Sequence, residues 1–176
     1  MEIGTFEKRI VFSWSSIEEL RNTEFPYSDA GVYGKEGSSS VNHKSRKTHI
    51  RHLPTGHPIY KDIMLDTKLL YPEYKISQMD ILLYEVGEFF TKHKDRSKYA
   101  DQRELSVITL LDRSDDLEGG DLLIYRQRDD KIHRGKFIPK LNIGESIIFN
   151  SSTYHEVTKV TRGWRKSSIT WLYKDS

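Results

Sequence analysis

A chain of 176 residues has the length of one domain and can bury a substantial core. Charged residues make up 31% and hydrophobic ones 36%, the formal net charge is only +2, and no apolar run approaches the roughly 20 residues that span a bilayer. Bulk charge therefore gives no footing for nucleic-acid binding, and the lack of cysteine excludes a disulfide framework, a thiolate zinc site and a thiol nucleophile. Histidine and carboxylate remain as the strong metal ligands. The opening Met1-Glu2-Ile3-Gly4 lacks the basic and then apolar character of a signal sequence, so the expectation is a cytoplasmic protein without a membrane partner.

Arg9 to Phe12 reads as an opening strand, followed by a short helix from Ile17, with Ser16 and Glu19 forming a capping box at its start. Phe25 to Ser45 is rich in Gly and Ser, shows no period and reads as a long loop. His43 to His52 then holds four fixed positive charges and three histidines, either as a solvated surface or as a segment that meets substrate. Pro58 suits the first turn of a second helix that runs through Ile59, Ile63 and Met64 toward Leu70 and stops before Pro72.

From Met79 the pattern turns to strands, at Asp80 to Val86, Leu105 to Leu111, Leu122 to Tyr125, Lys136 to Ile138, Ser146 to Phe149, Glu156 to Val160 and Ser167 to Tyr173. Gly119-Gly120 reads as a turn that uses positive φ. No repeat or linker divides the chain. The expectation is a mainly β, single domain over 1–176, with N-terminal helical support over about 1–76 and a jelly-roll barrel over about 77–176.

His93 and Asp95 stand two residues apart, a spacing that places both side chains on one face of a strand. His155 comes sixty residues after Asp95, so only a fold that joins remote strands can bring the three together. Two imidazoles and one carboxylate on one face of Fe(II) leave three positions open, the arrangement of non-haem iron oxygenases. Arg165 follows ten residues after His155, which fits a strand, a turn at Thr161-Arg162-Gly163 and a return strand. A guanidinium there grips a carboxylate through two parallel hydrogen bonds.

Four stretches carry a family resemblance: Tyr84 to Asp95, Leu117 to Leu122, Ile138 to Phe149, and His155 through Arg165 to Trp171. In that order they resemble the Fe(II)/2-oxoglutarate-dependent dioxygenases, in particular the branch of the prolyl hydroxylases and related bacterial hydroxylases. The resemblance implies a double-stranded β-helix, the jelly-roll of that family. It implies His93, Asp95 and His155 as metal ligands and Arg165 as the partner of the distal carboxylate of 2-oxoglutarate. Ser167 and Tyr84 are implied as further contacts to that carboxylate, Trp171 as a pocket-lining aromatic, and Asn42 and Arg46 as parts of a loop that meets substrate. Fe(II), 2-oxoglutarate and molecular oxygen are the implied reactants, with ascorbate as a stimulant, and succinate and carbon dioxide are the implied products. Halogenases of this superfamily replace the ligand carboxylate with a small residue. The retention of Asp95 therefore points to hydroxylation.

Each residue also has a plainer reading. His93 and Asp95 can be a solvated polar pair, His155 a hydrogen-bonded histidine, Arg165 a surface cation, Tyr84 and Trp171 barrel core, and Ser167 inert. Substrate stays open between a prolyl or other amino-acid side chain in a peptide and a small molecule. A nucleic-acid dealkylase fits less well, because relatives of that kind carry a second arginine where this chain has Trp171. A non-catalytic jelly-roll module with a structural metal has no need of Arg165.

Overall fold

The computed structural model describes residues 1–23, 27–33, 39–128 and 131–174. In chain order they form β1 (Phe6–Arg9), α1 (Trp14–Asn22), β2 (Ser28–Asp29), β3 (Gly31–Tyr33), β4 (Ser39–Val41), β5 (Arg46–Lys47), β6 (His49–His52), α2 (Pro58–Leu70), β7 (Lys75–Tyr84) and β8 (Phe89–His93). The remainder is β9 (Leu105–Arg113), β10 (Leu122–Arg128), β11 (Lys131–Phe137), β12 (Ser146–Asn150), β13 (His155–Val157) and β14 (Arg165–Tyr173). A seven-stranded sheet has the order β1-β12-β9-β14-β7-β6-β2, a five-stranded sheet has the order β11-β10-β13-β8-β5, and β3 and β4 form a separate pair. The fold is mainly β with two helices. Among the described residues no helix is long and apolar enough to cross a membrane.

Alternation along the long strands builds two cores. On β7, Met79 and Ile81 face the helices, where they join Ile17, Leu20, Ile59 and Ile63. Leu82 and Tyr84 belong to the second core, which also takes Ile169 and Trp171 from β14 and Ile124 and Val157 from the five-stranded sheet. A period of two thus divides one strand between a helix-covered face and an interior shared by both sheets.

Several boundaries differ from the sequence reading. The first strand lies at Phe6–Arg9, where it pairs with β12, while Val11 and Phe12 are buried in the helix-side core instead of continuing a ladder. Burying those two starts α1 three residues early, with Ser13 as its N-cap in place of Ser16. Ser16 Oγ donates instead to Asp66 Oδ2 of α2 at 2.8 Å, and Ser13 N donates to the same oxygen at 2.9 Å, so one carboxylate ties the two helices. The second helix has the expected bounds, with Pro58 in its first turn and the His57 side chain as cap. The expected loop of Phe25 to Ser45 contains β2, β3 and β4, and its residues 25–26 and 34–38 lie outside the described ones. The N-terminal part also supplies β5 and β6, so it extends both sheets as well as bracing them.

Ile81 is fully buried and Leu69 is 82% exposed on α2. Ile81→Ala is expected to cost about 2–5 kcal/mol of unfolding free energy and Leu69→Ala less than about 0.5 kcal/mol, read from urea midpoints.

Candidate metal centre and its cavity

Strand β13 runs antiparallel to β8 in a register that sets His155 opposite His93, with ring centroids 4.2 Å apart. The strand ends at His93, so Asp95 is not a strand position. The amides of Asp95 and Arg96 both donate to the Ser151 carbonyl, at 3.0 and 2.9 Å, and this bend aims the carboxylate back at the imidazoles. Asp95 Oδ1 lies 3.6 Å from His93 Nε2, and Oδ2 lies 3.6 Å from His155 Nε2. Two ligands of one ion with bonds of about 2.1 Å readily span such a gap. Among the described residues this is the one trio of histidine and carboxylate whose donor atoms converge closely enough for a metal.

The surrounding bonds fix which atoms are on offer. His93 Nδ1 is 2.7 Å from the Thr91 carbonyl and His155 Nδ1 is 3.0 Å from that of Thr153. A carbonyl only accepts, so each Nδ1 carries the hydrogen and each Nε2 presents a lone pair to the shared point. Ser106 Oγ donates to Asp95 Oδ2 at 2.7 Å and lies 2.9 Å from Ser151 Oγ. Phe90 stacks on the His93 ring at 3.5 Å, and Phe149 flanks His155 at 4.8 Å.

Burial and the neighbouring His93 push the His155 imidazole down to about 4, against the opposing pull of Asp95 and the Thr153 carbonyl. Burial raises the Asp95 carboxyl, but His155, His93 and Ser106 outweigh it and hold the group far below the usual carboxylate range. His155 is therefore neutral and Asp95 ionised near pH 7. Two imidazole nitrogens and one carboxylate suit a borderline ion such as Fe(II), and the residues fit a facial site for it.

The trio sits in the wall of a cavity of about 700 Å³. Arg165 opens β14 directly opposite Tyr84 of β7, is 5% exposed, and lines the same cavity. Its Nη1 donates to the Gly120 carbonyl, while Nε is buried without a hydrogen-bond partner among the described residues. Gly120 has φ of +64°, and a Cβ there would stand 3.1 Å from Arg165 Cδ, so this turn needs glycine both for its backbone and for the close approach. Burial lifts the Tyr84 phenol, against the pull of Arg46 and Arg165, so it stays a neutral hydroxyl.

Arg165, Ser167, Ile169 and Trp171 alternate along β14 and all line the cavity, as do Tyr84, Asn42 and Arg46. The structure thus brings every candidate site residue named from the sequence to one cavity. Sequence reading missed Gln78 and Asp80, which share the inward face of β7 with Leu82 and Tyr84; two polar residues on an interior face were a readable signal. It also missed Arg103, whose guanidinium lies 3.6 Å from the Trp171 ring centroid and donates to the Asp95 carbonyl at 3.4 Å and to Gln78 Oε1 at 3.2 Å. Arg103 precedes β9 and carries no periodic signal.

Residues 79–173 match the model of the 2OG-Fe(II) oxygenase superfamily, and the chain belongs to that superfamily. A PKHD-type hydroxylase of Caulobacter sp. (strain K31) is 34% identical over 96 residues, which cover 51% of this chain and 40% of that protein. The chain spans about half the length of the curated relatives it matches. A Pseudomonas putida prolyl-4-hydroxylase has a similar fold, with a TM-score of 0.68, 20% identity, and coverage of 96% of this chain and 92% of that one. A Trichoplax adhaerens prolyl hydroxylase, solved with a hypoxia inducible factor peptide, gives a TM-score of 0.67 at 18% identity, with 96% and 83% covered.

Two outcomes follow from the bonds at the trio. His155 is lowered on folding, so the unfolded chain binds more protons between pH 6.5 and about 4. Metal-free protein should lose stability as pH falls through that window, and His155→Gln should flatten that part of a urea-midpoint profile. Ser106→Ala frees Asp95 to rotate and should weaken Mn(II) affinity about 10- to 100-fold by calorimetric titration.

Proposed function

We propose that this protein is an Fe(II)- and 2-oxoglutarate-dependent hydroxylase whose metal ligands are His93, Asp95 and His155. The observation that carries this reading is Arg165, a buried guanidinium with an unused Nε–H, in the same cavity as the trio. A structural metal has no use for such a group, whereas a dicarboxylate that chelates the ion needs one at its far end. Tyr84, opposite Arg165, and Ser167, two residues further along β14, offer hydroxyls to the cavity, and Trp171 lines it beside Arg103. Iron with bound keto acid would supply oxygen activation, with release of succinate and carbon dioxide. The chain's own residues keep His155 neutral and Asp95 ionised, orient the co-substrate and exclude water. The two sheets would close as the jelly-roll barrel of a single catalytic domain, with ascorbate as a stimulant.

The substrate proposed is an amino-acid side chain, such as a prolyl residue in a peptide. Likeness to PKHD-type hydroxylases and to the fold of prolyl hydroxylases supports it, as does the position of Asn42 and Arg46 at the cavity. A second reading, a small-molecule hydroxylase, draws on the cavity volume of about 700 Å³, which lies within the range of pockets that enclose a whole organic ligand.

Anaerobic Fe(II) with 2-oxoglutarate should give a weak visible charge-transfer band, and a succinate assay across peptide and free amino-acid pools should identify the substrate class. Arg165→Ala should raise the dissociation constant for 2-oxoglutarate by about 10- to 100-fold, the worth of one or two charged hydrogen bonds. Unchanged keto-acid affinity in that variant would remove the proposed co-substrate pocket.

A further inference from the structure

Most of the charge inside the cavity is already balanced. On the reading above, a divalent ion, the Asp95 carboxylate, a doubly charged keto acid and the Arg165 guanidinium add to zero. Arg103 and Asp80 are bridged through Gln78, whose amide donates to both Asp80 oxygens at 3.2 and 2.9 Å, while His52 Nδ1 lies 2.8 Å from Asp80 Oδ1. Three cavity-lining cations remain outside this balance: Arg46, Lys92 and Lys94.

Aromatic rings hold all three. The Arg46 guanidinium lies 4.4 Å over Phe90, Lys92 Nζ 4.8 Å over Tyr125, and Lys94 Nζ 4.6 Å over Tyr154. Arg46 also donates to the Gly31 carbonyl at 3.3 Å. Among the described residues no carboxylate pairs with any of them; the carboxylates of the adjoining segment, Asp29, Glu85 and Glu88, gather around His49. Pairing of β5 with β8 sets Arg46 opposite Phe90, and the Ser45 carbonyl accepts the Thr91 amide, so residues 42–47 run beside residues 89–94; together these segments hold five Lys and Arg and no acid. The rest of the chain is consequently net negative, and this local positive excess adjoins the cavity wall that Arg46, Lys92 and Lys94 line.

We propose that this rim binds an acidic polypeptide, so that the residue to be oxidised is delivered from a segment flanked by Asp or Glu. A polyanion of the nucleic-acid kind fits less well. Single-stranded nucleic acid binds through bases stacked on open aromatic faces, and here the Tyr125 and Tyr154 faces are covered by ammonium groups. Carboxylates on a flexible peptide need only the exposed side of each cation. This inference deepens the hydroxylase reading, and its test does not depend on turnover.

The test is fluorescence anisotropy of metal-free protein with short labelled peptides centred on proline and flanked by Glu, Ser or Lys, together with a single-stranded oligonucleotide. The Glu-flanked peptide should bind about tenfold tighter than the Ser-flanked one at low salt, with the advantage shrinking as salt rises. Lys92→Glu with Lys94→Glu should invert the order so that the Lys-flanked peptide binds best, and the milder Lys92→Gln with Lys94→Gln should level it. Equal binding of the three peptides, unchanged ranking in both double variants, or tighter binding of the oligonucleotide than of the Glu-flanked peptide would overturn the proposal. The charge-transfer band judges the oxygenase reading separately. A band without acidic preference defeats the rim alone, and a missing band leaves the peptide ranking to decide the rim by itself.

Discussion

The short antiparallel pairing of β13 with β8 is the interaction on which the candidate centre depends. It brings His155 against His93 from a remote part of the chain, and a slip of β13 by one residue would turn His155 to the face away from His93. The pairing is brief, because β13 has three residues, and it is reinforced from outside the ladder. The Ser151 carbonyl takes two amides from the bend that carries Asp95, the Ser151 hydroxyl contacts Ser106, and Ser106 holds the Asp95 carboxylate. One small polar residue between β12 and β13 therefore links the segments that supply all three ligands.

Electrostatics in this region follow from burial. Removing His155 from water favours its neutral form, and fixing both Nδ1 hydrogens on backbone carbonyls directs both lone pairs inward. The carboxylate meets the same burial but has two imidazoles and a serine hydroxyl to compensate it. The protein thus arranges donor atoms by ordinary backbone hydrogen bonding, with aromatic rings serving as lateral guides.

Much of this was legible in the sequence because function concentrates on short-range patterns. The inward run Arg165, Ser167, Trp171 is a strand period, and α2 announces itself through Pro58 and a helical spacing of apolar residues. The less legible parts depend on tertiary context. The bend that turns Asp95 inward is set by a carbonyl more than fifty residues away, and the early start of α1 by burial of Val11 and Phe12 against the helices. The strands within residues 28–52 are two to four residues long, too short for alternation to show; β5 and β6 form because a sheet edge awaits them, and β3 and β4 because they pair with each other. Arg103 is placed by stacking on Trp171, which no local pattern encodes.

The two halves of the cavity belong to different layers. His93 and His155 extend from the five-stranded sheet, and Arg165 stands on a central strand of the seven-stranded one. Packed sheets keep a spacing of about 10 Å, set by the bulk of the side chains between them. That spacing acts as a ruler for any molecule that must touch both walls at once, and residues such as Ile169 and Val157, packed between the sheets, help set its length.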